Sequence, residues 1–159
     1  MTRIPLVTRV FLGSLVVVLI AGAQSSMQTR HDPARPFIAL QPEELRPADG
    51  ATQKILFGDP AKPGMYVVEN TFVPGRTSRP HFHDQDRYIT VVKGTWWVST
   101  GPEADTYDPA KMVPMKTGSF VFHPAFGHHY DGAKDEPATV RIMGMGPVTT
   151  TQLEQQSAR

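Results

Sequence analysis

The sequence predicts one all-β domain, an antiparallel sandwich or barrel, between residues 54 and 147. The first observation is a series of short stretches rich in β-branched and aromatic residues, such as those from Met65 to Val73 and from Tyr88 to Val92. The second is that glycine and proline separate these stretches at close intervals, as at Pro74 and Gly75. Short strands at close spacing favour antiparallel pairing over β-α-β units.

The chain begins with a segment typical of protein export. Arg3 and Arg9 precede an apolar run from Val10 to Ala21, and Ala21-Gly22-Ala23 fits a signal-peptidase site. A run of about 12 apolar residues is too short for a membrane-spanning helix, which needs about 20. We therefore expect residues 1–23 to be a signal peptide cleaved after Ala23, and the mature protein to be periplasmic or secreted.

Residues 24–53 are predicted to form an irregular N-terminal arm, because prolines, serines and charged residues dominate them. Two interpretations of this arm are open. It is a flexible tether, or its apolar residues Phe37, Ile38 and Leu40 pack on the domain or across a dimer interface.

Seven strands are expected after the arm. They are Lys54–Phe57, Met65–Val73, His81–Lys93, Thr95–Thr100, Ser119–His123, a segment near His129 and Tyr130, and Ala138–Met143. A loop from Gly101 to Thr117 interrupts them, because its prolines exclude a central strand. Asp108 and Pro109 suit the start of one helical turn ending at Val113. Residues 148–159 are expected to be a poorly ordered C-terminal tail.

Composition excludes several classes of function. The chain has no cysteine, so it has neither disulfides nor thiolate metal ligands. Removal of residues 1–23 takes away two of the 16 basic residues and no acidic one, so 14 basic residues stand against 15 acidic ones. With a net charge of −1, the mature chain has no basic surface for nucleic acid and no polybasic cluster for a membrane.

His81 and His83 indicate a metal site. In an extended strand, residues i and i+2 point to the same face, so both imidazoles can bind one ion. The β-branched run after them, which ends at Gly94, places the pair at the beginning of a buried strand. A second apolar stretch from Gly118 leads through Pro124 to another histidine, His129.

The two stretches together resemble the paired motifs of the cupin superfamily, G-x5-H-x-H-x3-E-x6-G and G-x5-P-x-G-x2-H-x3-N. The matching residues are Gly75, His81, His83 and Gly94 in the first motif, and Gly118, Pro124 and His129 in the second. Segments such as FGDPAKPG, GTWWVSTG, YDPAKM and GMGP also resemble small exported bacterial cupins. The resemblance implies a jelly-roll barrel, or double-stranded β-helix, over roughly residues 55 to 147, with a metal held by His81, His83 and His129.

Three positions differ from the motifs. Arg87 replaces the glutamate ligand, Phe126 replaces the second glycine, and Ala133 replaces the asparagine. Neutral imidazoles alone leave the charge of a divalent ion uncompensated, so such a site favours anionic or chelating ligands. It resembles the three-histidine iron sites of cupin dioxygenases and also three-histidine zinc sites, and the expected cofactor is divalent Fe, Mn or Zn.

Arg87 has two open interpretations. In a regular strand it shares the face of His81 and His83, where its guanidinium could clamp an anion bound to the metal. Alternatively, it forms a salt bridge with Asp84, Asp86 or Glu69. We also considered that Asp86 replaces the missing glutamate as a ligand after a bulge in the strand.

Other side chains near the motifs are further candidates. His123, just before Pro124, is predicted to face the pocket as a proton carrier, or to be a hydrogen-bonded residue at the strand end. His128 is expected to point away from the metal, because neighbouring residues face opposite sides. For the same reason one of Trp96 and Trp97 should lie inside, and the other is a candidate dimer contact.

The sequence thus favours an exported metal-dependent enzyme acting on a small oxygenated or carboxylated molecule, with Arg87 and His123 as candidate catalytic residues. Dioxygenase-like chemistry at iron is the first option. Isomerase, lyase or hydrolytic chemistry at zinc or manganese is the second, since ferrous iron competes poorly for nitrogen ligands outside the cytoplasm. The alternative is a non-catalytic cupin that binds a small molecule or a metal. A homodimer is expected.

Overall fold

Residues 38–48 and 50–153, which this computed structural model describes, form ten β-strands and only two short 3-10 turns. The strands are β1 (Gln53–Phe57), β2 (Gly64–Phe72), β3 (His81–His83), β4 (Arg87–Lys93), β5 (Thr95–Thr100), β6 (Val113–Lys116), β7 (Phe120–His123), β8 (His129–Gly132), β9 (Ala138–Gly146) and β10 (Thr150–Gln152). The predicted all-β class is confirmed.

The strands form two five-stranded antiparallel sheets. The first has the order β1-β2-β9-β4-β7, and the second has the order β10-β3-β8-β5-β6. Strands far apart in sequence are neighbours in both sheets; for example, β2 pairs with β9 over its whole length. This arrangement brings the two histidine motifs together, because β3 and β8 pair directly.

The core lies between the sheets and follows the alternation of each strand. Its buried members include Tyr66, Val68, Ile89, Val91, Trp96, Val98, Val140 and Ile142. Burial of an apolar side chain of this size contributes about 1.5–3 kcal/mol. The pattern therefore fixes which face of each strand points inward, and with it the direction of the histidines.

Trp96 is the inward tryptophan, at 1% exposure. Trp97 points outward but packs against a second buried cluster formed by Ala104, Met112 and Tyr130. The Lys134 ammonium lies 3.8 Å from the centre of the Trp97 ring. The chain itself therefore contacts part of Trp97, and the role of this outward tryptophan as a dimer contact stays a prediction.

The loop after β5 contains the predicted helical turn in shorter form, Pro109–Lys111. The carboxylate of Asp108 caps it by accepting a hydrogen bond from the Ala110 N–H at 2.9 Å. Val113, expected at the end of this turn, instead begins β6, which pairs only with β5 at the edge of the sheet. An edge strand can accommodate Pro114.

The C-terminal segment differs from the expectation of a poorly ordered tail. Thr150–Gln152 form β10, which pairs with β3 through Thr150 and His83, Thr151 and Phe82, and Gln152 and His81. The ladder hydrogen bonds of β3, an otherwise unpaired edge, stabilise this short strand.

Residues 154–159 lie outside the described residues, as do the expected signal peptide, its cleavage site and residues 24–37 and 49 of the arm. Among the described residues, no helix has the length and apolar character needed to cross a bilayer.

Candidate metal centre

Three buried histidines converge between the sheets. His81 and His83 project from β3 to the same side, as their spacing predicts, and His129 lies opposite His81 on β8. Their exposures are 6%, 7% and 1%. One ring nitrogen from each histidine lies within 4.8 Å of those of the other two. The structure thus brings together the three predicted metal ligands.

Hydrogen bonds to backbone carbonyls determine the tautomer of each ring. Nδ1 of His81 lies 2.7 Å from the Arg79 oxygen, and Nδ1 of His129 lies 2.9 Å from the Gly127 oxygen. Nδ1 of His83 lies 3.1 Å from the carbonyl oxygen of Thr149, the residue just before β10. Because a carbonyl oxygen can only accept, each Nδ1 donates its proton, and each Nε2 carries a free lone pair.

These lone pairs fit a divalent ion. A metal bound to histidine lies about 2.0–2.1 Å from the nitrogen, so a small closure of the rings places three Nε2 atoms around one ion. The Nε2 atom of His129 is buried without a hydrogen-bond partner, which is costly unless something binds there. The donor set, three neutral imidazoles, suits zinc and iron, whereas manganese prefers oxygen ligands.

Arg87 points into this site. Its Nη1 donates to the free lone pair of His83 Nε2. The acids considered as its salt-bridge partners are engaged elsewhere: Glu69 pairs with Arg141 at 2.6 Å, Asp84 accepts from the Thr149 N–H, and Asp86 accepts from the Ala125 N–H. The salt-bridge interpretation of Arg87 is therefore wrong for this structure.

Asp86 does not belong to the metal group either. The described cluster that could hold an ion contains only the three histidines, and the Asp86 carboxylate is bound to the Ala125 backbone at 2.8 Å. The alternative in which Asp86 replaces the glutamate ligand is not supported by this geometry.

His123 lies on the opposite sheet, on β7, in register with Arg87. Its ring centroid is 4.0 Å from that of His129 and 5.9 Å from that of Trp96. Neither ring nitrogen has a partner, although the residue is 3% exposed. His123 thus lies beside the three-histidine cluster and is not a hydrogen-bonded residue at the strand end, while its role as a proton carrier facing the pocket stays a prediction.

Within the part of the chain that the structure describes, five buried side-chain nitrogens lack a hydrogen-bond partner. They are Arg87 Nε, Trp96 Nε1, His123 Nδ1, His123 Nε2 and His129 Nε2. All five belong to this one group of neighbouring residues. Buried polar groups are nearly always paired, so this concentration of unpaired donors and acceptors indicates a ligand-binding site.

Burial keeps the imidazoles neutral. Burial, followed by the charge of Arg87, lowers the pKa of His83 to about 3. Burial, followed by His129, lowers the pKa of His123 to about 2. The pKa of His129 falls to about 4, because burial outweighs the opposing effect of Asp131. Neutral rings are the form that binds metals. They also correct the expectation that His123 changes charge near neutral pH.

His128 lies outside the site, as predicted from its position next to His129. Its Nδ1 lies 2.6 Å from the Asp105 carboxylate, and its ring stacks on Phe82 with centroids 5.6 Å apart.

Sequence reasoning missed Asp131, a buried carboxylate in the same cavity. This cavity, about 370 Å³ in volume, is lined by His81, His83, Arg87 and Asp131 among other residues. Asp131 is two residues beyond His129 on β8 and therefore shares its face. That spacing was the signal that could have identified Asp131.

Solved structures with the same architecture identify the fold. A cupin 2 domain-containing protein from Halorhodospira halophila is 15% identical, with a TM-score of 0.54, and the match covers 67% of this chain and 75% of that one. A protein with a double-stranded β-helix domain from Klebsiella pneumoniae is 18% identical, with a TM-score of 0.53 and coverage of 71% and 93%. This chain has the cupin fold.

The DMSP lyase DddQ from Ruegeria pomeroyi shares this cupin fold at 14% identity and a TM-score of 0.54. The match covers 67% of this chain but only 53% of the lyase chain. No protein-family model matches the sequence, and no curated protein matches it.

Phe126 stands where the cupin motif has its second glycine, and its backbone conformation explains why glycine suits this position. Its φ is 63°, in the left-handed region that glycine adopts readily and other residues rarely do. Its N–H donates to the His83 carbonyl at 2.7 Å, which holds the turn against the metal strand. The cupin turn is thus retained with a large aromatic residue, 64% exposed.

Proposed function

We propose that this protein is a metal-dependent enzyme that acts on a small carboxylated or otherwise anionic organic molecule. The observation that carries the proposal is the convergence of three His lone pairs beside an arginine that has no acidic partner among the described residues. A divalent ion and this guanidinium together create a strongly positive site, which an anion compensates.

The chain's own residues supply three actions. His81, His83 and His129 would hold the ion, which when bound polarises an oxygen of the substrate or a water molecule. Arg87 would move from His83 Nε2 to the substrate anion and orient it with paired N–H donors. His123, a neutral imidazole with two nitrogens unpaired among the described residues, would hydrogen-bond the substrate from the same sheet as Arg87, facing the sheet of the three histidines.

Two classes of reaction fit this arrangement. The first is dioxygenase-like oxidation at iron, and the second is isomerase or lyase chemistry at zinc or manganese. Solved neighbours that share the fold include a polyketide cyclase from Streptomyces resistomycificus, at 17% identity and a TM-score of 0.51, besides the lyase. The fold therefore accommodates non-oxidative chemistry.

A second candidate is a cupin that binds a small molecule or metal without turnover. It is favoured by the neutral state of His123, because an imidazole with a pKa of about 2 is a weak base. An enzyme and a binding protein differ in turnover, which the second experiment below tests.

We also propose that the chain is exported through residues 1–23, cleaved after Ala23, and active as a homodimer in the periplasm or medium. The charged and apolar segments at the N-terminus support export. Exposed apolar residues on the first sheet, such as Met65 and Phe120, support self-association.

The first experiment is elemental analysis of residues 24–159 isolated from the compartment to which the protein is exported. We expect about one equivalent of iron, manganese, zinc or copper per chain, and its loss in His81→Ala. His128→Ala is the matched control, because His128 binds Asp105 and lies outside the cluster. Metal-free wild type that takes up no metal on reconstitution would overturn the proposal.

The second experiment measures turnover of the metal-loaded protein on a panel of small carboxylic acids. Oxygen consumption is followed when the bound metal is iron, and product formation is followed otherwise. Loss of turnover in Arg87→Gln, with the metal retained, supports the enzyme. Tight binding without product across the panel supports the binding protein.

A further inference from the structure

Asp131 and Arg87 are opposite charges in one cavity that do not neutralise each other. The described ion pairs are Lys62 with Asp59 and Arg141 with Glu69, and His128 lies in hydrogen-bond contact with Asp105. Neither Arg87 nor Asp131 takes part in one. Because Asp131 is 8% exposed, it is a nearly buried carboxylate whose charge lacks a cationic partner among the described residues.

Local hydrogen bonds hold the Asp131 side chain in place. The Ser78 hydroxyl donates to Asp131 Oδ1 at 2.9 Å and accepts from the Asp131 N–H at 2.8 Å. The described hydrogen bonds leave the other oxygen, Oδ2, available as an acceptor in the cavity.

Strand register places the two charges on opposite sides of the histidines. His81 pairs with His129 in the middle of this arrangement. On one side of that pair, the Ser78 N–H donates to the Asp131 carbonyl. On the other side, the Phe126 N–H donates to the His83 carbonyl. Measured along the strand direction, Asp131 and His83 are therefore about 13 Å apart, with a rise of about 3.3 Å per residue. Arg87 contacts His83 and so belongs to the far end.

We infer that the ligand of this site is a short bifunctional acid, with a carboxylate held at the Arg87 end and an ammonium or hydroxyl donor held by Asp131. This inference rests on the proposed function and specifies its substrate class. Once the lengths of the side chains and their hydrogen bonds are subtracted, the remaining gap suits a chain of about two to four atoms between the two polar groups. Donors at the far end would satisfy Asp131, whereas a second carboxylate would be repelled by it.

The test measures the affinity of four acids of similar length for residues 24–159 by calorimetry, with zinc bound and without metal. The acids are 4-aminobutyrate, 4-hydroxybutyrate, pentanoate and succinate. We expect the amino and hydroxy acids to bind at least tenfold more tightly than pentanoate, because each gives Asp131 a charge-assisted hydrogen bond. Succinate should bind most weakly.

Variants separate this effect from a structural one. Asp131→Asn keeps an acceptor for Ser78, and it should reduce the preference for the amino acid over pentanoate to less than threefold and improve succinate. Arg87→Gln should weaken all four acids while preserving their order. Asp135→Asn, at an exposed acid on the neighbouring loop, should change nothing.

Equal binding of the four acids to wild type, or an Asp131→Asn variant that loses affinity for all four alike, would overturn the inference. Either result leaves the proposed function intact when zinc is bound at one equivalent. Failure to bind any metal would instead overturn the proposed function, and the affinities of the metal-free protein would still test Asp131.

A separate observation concerns the outer face of the first sheet. A row of apolar side chains crosses all five strands, because Phe57 pairs with Val67, Val67 with Met143, and Met143 with Tyr88, which pairs with Phe122. We call this row, together with Met65, Met145 and Phe120, the apolar outer face. Seven of its members are 38–59% exposed.

The size of this face points to a protein partner. With full accessible areas on the order of 200 Å² per side chain, the seven exposed members present roughly 700 Å². That area exceeds the roughly 300–600 Å² of the largest patch on a typical monomer and approaches the roughly 800 Å² that each partner buries in a stable interface. A groove of about 460 Å³ between Met65, Tyr88 and Met143 makes the apolar outer face concave at this point.

We propose that a second copy of this chain covers the apolar outer face. The row itself carries no charged side chain, so two copies related by a two-fold axis bury mainly apolar surface, with the exposed Asp86 as the charged residue that lines the groove. Met65, Met143 and Met145 can adjust their rotamers to fit one another across the axis.

Light scattering during size exclusion tests this interface. Wild type at about 100 µM should be a dimer, and Met143→Lys, in the centre of the row, should be a monomer that still binds metal. Val113→Lys is the matched control, since Val113 is an apolar residue of similar exposure, 56%, on β6 of the other sheet. A monomeric wild type would contradict the proposal, also when residues 24–37 of the same chain cover the face. A dimer that persists in Met143→Lys would contradict it as well.

Discussion

Arg87 occupies the position of a carboxylate ligand in the cupin motif, and its guanidinium contacts His83 Nε2, the nitrogen that a metal would bind. A glutamate there would attract the ion, whereas the arginine repels it. At a separation of about 4 Å and an effective dielectric constant near 20, two unit charges interact with an energy of about 4 kcal/mol, before the cost of desolvation is included. With arginine at this position, the site would bind a metal more weakly and would attract an anionic ligand more strongly.

Arg87→Glu should therefore bind zinc at least tenfold more tightly than wild type, measured by competition with a chromophoric chelator. Arg87→Gln, which removes the positive charge without adding a negative one, should fall between the two. A glutamate variant that binds zinc no better than the glutamine variant would show that residue 87 does not reach the ion.

Phe126 illustrates a local backbone cost. A non-glycine residue in the left-handed region costs about 1–2 kcal/mol, and Phe126 has a φ of 63°. Its ring lies 5.8 Å from that of Phe82, so the aromatic side chain recovers part of this cost by packing.

Phe126→Gly should be more stable than Phe126→Ala by about 1 kcal/mol in urea denaturation, because both lose the ring but only glycine relieves the strain. The comparison of the two variants removes the contribution of the Phe82 contact. Equal stabilities would mean that the turn relaxes to a negative φ when the ring is absent.

At the scale of elements, the position of His83 depends on a strand that was not expected. β10 pairs with β3, and the Thr149 carbonyl that precedes it accepts from His83 Nδ1. The Thr150 hydroxyl lies 3.1 Å from the same nitrogen. Such partners of metal-binding histidines fix ring orientation, and their loss typically costs 10- to 100-fold in metal affinity.

A chain that ends at Val148 should therefore bind zinc roughly tenfold or more weakly than the full chain. A chain that ends at Leu153 is the control, because it retains β10 and the described residues. Equal zinc affinity of the two truncated chains would show that β3 positions His83 without β10.

The strands themselves were largely predictable. Alternation of apolar residues located β2, β4, β5, β7 and β9 within a few residues, and it placed His81 and His83 on one face. The break at residues 84–86, which separates β3 from β4, was not predicted. There the Asp84 and Asp86 side chains bind the backbone N–H groups of Thr149 and Ala125, contacts that come from segments far away in sequence.

At the scale of the whole molecule, burial of the histidines couples the fold to pH. In the metal-free protein, burial lowers the pKa of His83, His123 and His129 to about 3, 2 and 4, against an ordinary value of 6.5. Between about pH 6.5 and pH 4 the unfolded chain binds more protons at these rings than the folded chain. The free energy of unfolding therefore falls as the pH falls through this window.

Metal-free protein should lose roughly 10 °C in Tm between pH 7 and pH 5, measured by calorimetry. His123→Leu removes one of the three buried rings and should flatten this dependence. Bound zinc, which competes with protons for the same rings, should raise Tm at pH 7 more than at pH 5. A pH profile that His123→Leu leaves unchanged would contradict this origin.

The sequence by itself determined the class of fold, the three candidate metal ligands that the structure brings together, and the exclusion of His128 from that group. These features depend on short-range rules, namely the two-residue period of strands and the spacing within two motifs. The period did not determine the position of Arg87, because the break at residues 84–86 puts Arg87 on β4, in the sheet opposite β3.

Only the tertiary structure decided which acids pair with which bases, and so left Arg87 and Asp131 without ionic partners in the part of the chain that the structure describes. Glu69 pairs with Arg141, 72 residues away, because β2 and β9 are neighbours in the sheet. The pairing of distant strands also made β10 a support for His83 and aligned the apolar outer face. Such contacts depend on strand order and register, which the spacing of residues along one strand does not specify.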